Sequence, residues 1–181
     1  ADKYVSLVKT LKVGDPSLPD TLVGPLITED EAVRIVDWVE KARAEGAQIL
    51  LEGKREDAVV YPYVIKGTNE TWTAKNEMFG PVATLICAKD EADALRIAND
   101  TDAGLSGAIH TANKERGFQF AKHWKTGMVH INDQSVNDEP GIPFGGEKMS
   151  GIRRFNRDIT LDEVTEYMWI SDQTQPRHYP L

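Results

Sequence analysis

Apolar residues recur at three- and four-residue steps between Ala32 and Ala42, where Ala32, Val33, Ile35, Val36, Val39 and Ala42 line one face of a helix predicted over residues 29–45. Thr28 and Glu31 stand at the spacing of a capping box, and Gly46 supplies a left-handed residue at the far end. A shorter helical pattern over residues 2–11 groups Tyr4, Val5, Val8 and Leu11, and Gly14-Asp15-Pro16 stops it. Residues 13–26 carry three prolines and read as a loop. The period then shortens. Residues 47–51, 58–65 and 82–88 read as strands, the last so continuously apolar that burial on both faces is expected. Asp90 is placed to cap a helix over 91–99, and a strand over 105–110 follows. The next helix, 115–124, turns Phe118, Ala121 and Trp124 inward and leads into a strand at 128–131. Strands alternating with helices predict an α/β fold with three layers, a largely parallel twisted sheet carrying helices on both faces.

Periodicity stops over residues 132–157, which turn to Gly, Pro, Asp and Asn; a loop of that length in a compact domain is functional or disordered. A short helical pattern starts at Leu161, and Tyr167-Met168-Trp169-Ile170 reads as a strand. Residues 1–164 are expected to form the α/β portion, and residues 165–181 a C-terminal strand and tail.

A chain of 181 residues suits one domain, and no stretch approaches the roughly 18 apolar residues of a membrane span. Its 29 acidic against 21 basic side chains, a net charge of −8, argue against nucleic acid and anionic lipid as partners. The single cysteine forms no internal disulfide, and no secretory core follows the charged start, so the chain reads as cytoplasmic.

Searches for a dinucleotide fingerprint, a phosphate loop, paired metal-ligating histidines or a CxxC pair return nothing, so no metal is expected. Gly145, Gly146 and Gly151 lack the strand that a phosphate cradle needs. Asn69-Glu70-Thr71 and Asn99-Asp100-Thr101 match the glycosylation pattern but read as turn and helix-end chemistry. Cys87, inside an apolar run, is expected to be a buried neutral thiol. The sharper signal is Glu77-Met78-Phe79-Gly80-Pro81-Val82, a carboxylate and a ring two residues apart before a strand. Such a carboxylate can accept both hydroxyls of a ribose, and such a ring can lie on a flat heterocycle. A capped turn with a core phenylalanine is the alternative.

Four separated motifs, in order, carry a resemblance: Leu11-Lys12-Val13-Gly14-Asp15-Pro16 with Gly24-Pro25-Leu26-Ile27; the Glu77 to Val82 run; Asn99-Asp100-Thr101 with Gly104-Leu105-Ser106; and Pro143-Phe144-Gly145-Gly146-Glu147-Lys148-Met149-Ser150-Gly151. Together they resemble the C-terminal part of the NAD(P)-dependent aldehyde dehydrogenases. The resemblance implies oxidation of an aldehyde to its acid through a covalent thiohemiacetal, with hydride passing to nicotinamide. It assigns Glu77 to the nicotinamide ribose, Phe79 to the nicotinamide, Phe144 to the aldehyde pocket, and Ser135 and Val136 to the loop 133–139 at its mouth.

In the family the nucleophilic cysteine, the general base, the oxyanion-stabilising asparagine and the Rossmann-like cofactor domain all precede the first motif, and Cys87 matches none of them. The resemblance therefore implies no catalytic residue in these 181 residues, no turnover by the isolated chain and no tight binding of NAD or NADP by it alone. Ala103 stands where an aromatic is common, and Arg153-Arg154-Phe155 where Gly-Arg-Glu is common, which removes an acid often assigned to a proton relay. The stretch from Gly127 to Glu139, Arg154-Phe155 and the tail Pro176-Arg177-His178-Tyr179-Pro180 are more similar to benzaldehyde and vanillin dehydrogenases, implying an aromatic aldehyde. In the family the run Tyr167 to Ile170 resembles an edge strand added to a partner subunit, implying a homo-oligomer. The competing expectation is a non-enzymatic α/β module that self-associates through that strand.

Overall fold

The first 101 residues cluster as one packed unit and those from Asp102 onward as a second, in a computed structural model that describes residues 1–178 and 180. Helix α1 (Asp2–Val8) opens the first unit, and the proline-bearing loop leads to α2 (Glu29–Ala44). Of the predicted stripe on α2, Ala32, Ile35, Val39 and Ala42 are fully buried, while Val33 remains partly exposed. Thr28 caps the helix by accepting the Glu31 amide at 3.2 Å. The reciprocal half of the capping box does not form, because Arg34, one turn on, draws the Glu31 carboxylate to itself at 2.6 Å. Gly46, with φ +92, closes the helix as its amide and that of Ala47 return to Arg43 and Ala42.

Strand β1 (Gln48–Leu51) follows, then a small antiparallel pair of β2 (Arg55–Glu56) and β3 (Val59–Val60). The strand predicted over 58–65 is divided: Pro62, without an amide hydrogen, separates β3 from β4 (Tyr63–Gly67). Helix α3 (Trp72–Lys75) then crosses to β5 (Val82–Ile86). The sheet order is β1-β4-β5, with β1 antiparallel and β5 parallel to β4. The core gathers Ala32, Ile35, Val39 and Ala42 against Val60, Tyr63, Ile65 and Met78. As an edge strand of this sheet β5 is half-buried along its length rather than buried on both faces. Helix α4 (Glu91–Asn99) ends the unit, capped by Asp90 accepting from Asp93 at 2.8 Å. Asn69 Nδ2 donates to the Ile97 and Asp100 carbonyls at 3.0 and 3.1 Å, so both glycosylation-like triplets do serve a turn and a helix end.

In the second unit β6 (Ser106–Ile109) and β7 (Met128–Ile131) pair in parallel, connected by α5 (Lys114–His123). Phe118 points outward, 56% exposed; the inward positions are Gly117, Phe120, Ala121 and Trp124, at steps of three and four that count the glycine as a face residue. Among the described residues, every buried position of this unit is a glycine: 104, 107, 117, 145 and 146. The Trp124 ring lies on Gly107, where a Cβ would come within 2.2 Å of it. A 3₁₀ turn (Lys148–Ser150) and helix α6 (Arg157–Val164) follow, α6 starting four residues ahead of the predicted Leu161. The run Tyr167 to Ile170 forms no ladder with the other described residues, and each of its four side chains is at least 80% exposed. Of the tail motif, Tyr179 lies outside the described residues. Both units are α/β, with parallel strands joined through helices.

Candidate functional site

The loop of residues 77–80 takes its shape from what lies beneath it. Met78, 8% exposed, is drawn into the core beside Ile35 and Val39. Gly80 passes so close to α2 that a Cβ there would sit 2.8 Å from Ile35 Cδ1. Between these two anchors Arg34 Nη2 donates to the Met78 carbonyl at 2.9 Å. The same guanidinium is held by Glu31 and lies 4.2 Å over the Trp38 ring. Pinned on both sides, Phe79 adopts φ +50 and leaves its ring 75% exposed. A left-handed conformation costs a non-glycine residue about 1–2 kcal/mol, and it persists here because the buried neighbours over-determine it.

Glu77, two residues before it, is exposed and accepts no hydrogen bond from the other described residues. Phe79 is therefore not the core phenylalanine of the alternative reading; Met78 fills that place. The spacing of Glu77 and Phe79 was legible in the sequence, whereas Arg34 was not. Its only trace was a cation at the polar edge of the α2 stripe, beside Ile35.

In the second unit, Ile131 packs toward Gly117 on α5, so strand alternation turns Met128 and His130 to the other face of β7. There they meet residues 137–144, and a cleft of about 320 Å³ opens between them, with Glu139, Ile142 and Phe144 in its lining. His130 Nε2 is buried without a hydrogen-bond partner among the described residues. Phe144 exchanges both backbone hydrogen bonds with Phe155, at 3.0 and 2.9 Å. Their rings meet at 5.1 Å and 56°. Arg154 Nη1 donates to the Gly146 carbonyl at 2.8 Å and Asn156 Nδ2 to that of Ile142 at 2.9 Å.

Gly127 lies under this segment, where a Cβ would fall 1.8 Å from the Gly145 carbonyl oxygen. The glycines of the Pro143-to-Gly151 motif thus serve close backbone packing. Ser135 and Val136 lie just before the lining residues: the Ser135 carbonyl accepts from Ser106 Oγ at 2.6 Å, and Val136 is 76% exposed.

Cys87 corrects an expectation. It is exposed, one residue past the last β4–β5 pair, Gly67 with Ile86, where the ladder no longer covers it. Among the described residues no group of three or more His, Cys, Asp or Glu is placed to hold a metal, and no helix is long and apolar enough to cross a membrane.

The chain is 45% identical to benzaldehyde dehydrogenase YfmT of Bacillus subtilis over 99% of its own length and 38% of that protein's. It is 43% identical to a vanillin dehydrogenase of Corynebacterium glutamicum, over 93% of its length and 35% of the relative's. It superposes on a salicylaldehyde dehydrogenase of Pseudomonas putida solved with salicylaldehyde, with a TM-score of 0.89 at 31% identity, covering 99% of this chain and 38% of that one. The chain thus spans little more than a third of the length of these relatives. Residues 1–170 match the model of the aldehyde dehydrogenase family, and the chain belongs to that family.

Proposed function

We propose that the protein to which this chain belongs oxidises an aromatic aldehyde to the carboxylic acid with NAD or NADP, and that the chain supplies two of its binding surfaces. The observation that carries this reading is the loop 77–80, which holds an exposed carboxylate beside an exposed ring that its own backbone strain presents to solvent. The donor set suits the nicotinamide half of the cofactor. Glu77 has two oxygens for the two ribose hydroxyls, and Phe79 offers an apolar face to the nicotinamide and keeps water from it. The cofactor, when bound, supplies the hydride acceptor. Arg34 keeps the loop in register through the Met78 carbonyl.

In the second unit Phe144, backed by Phe155, forms the apolar wall against which an aryl ring rests, with Ser135 and Val136 at the mouth. The benzaldehyde, vanillin and salicylaldehyde in the relatives' names support an aryl substrate. In this reading the thiolate nucleophile, the general base and the oxyanion donors lie outside the 181 residues. The isolated chain is then not catalytic and does not hold the cofactor tightly. The reading also places the protein in the cytoplasm as a homo-oligomer, with residues 165–181 as its arm.

The test is steady-state kinetics of the whole protein with benzaldehyde and NAD+, beside the isolated chain. Glu77→Gln should raise the KM for the cofactor roughly tenfold, the usual weight of one charge-assisted hydrogen-bond pair, with the KM for benzaldehyde unchanged. Turnover by the isolated chain, lost with Glu77→Gln, would overturn the division of labour. The exposure of Tyr167, Met168, Trp169 and Ile170 favours a second reading, a self-associating module. Light scattering decides it: a monomer unchanged by deleting residues 165–181 counts against the arm in both readings.

A further inference from the structure

We infer that Phe155 is a specificity-positioning residue, which makes the cleft in the second unit selective for aryl over alkyl aldehydes by setting the ring of Phe144; this rests on the aldehyde-oxidising function proposed above. Three consecutive residues, 154–156, fasten three alternate carbonyls of the cleft rim. Arg154 takes the Gly146 oxygen, the Phe155 amide takes that of Phe144, and Asn156 takes that of Ile142. Ile142 and Phe144 both line the cleft, so the rim is held at two of its lining positions. Backbone bonds fix the course of the rim but leave χ1 and χ2 of Phe144 free.

The Phe155 ring supplies that last constraint, at a centroid separation of 5.1 Å and a tilt of 56°, within the range of favourable aromatic pairs. Phe155, half-exposed, packs on Phe144 and is absent from the cleft lining, which makes it a positioning residue. An aryl aldehyde stacks on a Phe144 ring held at one tilt. A flexible alkyl chain adapts to any tilt and gains little from the restraint. The discrimination lies in substrate binding, and the hydride step is indifferent to it.

The experiment is kinetics of the whole protein carrying Phe155→Leu or Phe155→Tyr, with benzaldehyde and hexanal. Phe155→Leu should raise the KM for benzaldehyde about fivefold, the factor carried by one aromatic pair, with kcat and the KM for hexanal and NAD+ within about twofold. Phe155→Tyr, which keeps the ring, should restore the benzaldehyde value. Equal losses for both aldehydes, or none for either, would overturn the inference. If the unsubstituted protein oxidises neither aldehyde, the proposed function has failed, and the inference is read on the 181-residue chain itself. Benzoate should then shift the Phe144 ring resonances more strongly than hexanoate, and Phe155→Leu should abolish that preference; no preference in the parent chain sinks the inference as well.

Discussion

Replacing Phe79 by glycine and by alanine separates the conformational cost of the loop from the value of the ring. At an ordinary backbone position glycine is less stable than alanine by about 0.5–1 kcal/mol, because its unfolded state has more freedom to lose. At φ +50 the order should reverse: alanine retains the left-handed penalty of about 1–2 kcal/mol that glycine does not feel. The expected net advantage of Phe79→Gly over Phe79→Ala is about 0.5–1 kcal/mol.

The ring itself, 75% exposed, hides only a quarter of its surface, and losing that costs about 1 kcal/mol at 25 cal/mol per Å². Phe79→Gly should therefore unfold within about 1 kcal/mol of the parent, against about 3–5 kcal/mol for a core phenylalanine cut to alanine. Urea unfolding followed by tryptophan fluorescence reads both differences, since Trp38 and Trp72 both belong to the same packed unit as the loop. Alanine more stable than glycine at position 79, or a loss above 3 kcal/mol for either, would show that the loop does not carry the strain assigned to it.

Three further outcomes follow from the packing. Gly80→Ala places a methyl 2.8 Å from Ile35 Cδ1 and should cost about 1–3 kcal/mol in the same urea assay; a neutral result would mean that the loop can lift from α2. Tyr63 is 5% exposed, and burial first, then the charges of Glu52 and Glu40, raise its pKa above the ordinary value of 10.0. Because the folded state keeps that proton longer than the unfolded chain, the contribution is full below pH 10 and is lost as pH rises toward the folded-state pKa; Tyr63→Phe should flatten that alkaline loss in denaturation measured from pH 9 upward. Cys87 should react with a thiol reagent in the native chain, and protection until denaturation would restore the buried reading.

Local chemistry was legible where a residue's partner lies within one turn. The α2 stripe, the Thr28 and Asp90 caps and the left-handed Gly46 all follow from spacings of three or four residues. Reading failed where the decisive partner is remote or has no side chain. The apolar pattern turns Phe118 inward because Gly117 does not register as apolar in it, although the missing side chain of Gly117 is what lets α5 lie against β7. The apolar neighbours of Cys87 predict burial, yet the end of the β4–β5 ladder leaves it exposed. The candidate site divides in the same way. Glu77 and Phe79 announce themselves two residues apart, but the hydrogen bond that shapes their loop comes from Arg34, 44 positions earlier. Phe155 departs from the family pattern, and only its backbone pairing with Phe144 points to the role inferred for it.

The fastening of the loop to α2 bears on how loss-of-function variants would be sorted. Arg34 and Ile35 are adjacent on the helix, and Ile35 shares its fully buried stripe with Ala32 and Val39. A volume change along that stripe would disturb the packing on which the loop rests, since Met78 shares the same core. Under the proposed function, a screen for weakened cofactor affinity would recover two classes of variant. Those at Glu77 would be defective at every temperature, while those at Ala32 or Val39, buried in the helix stripe and not exposed on the loop, would be defective only when warm.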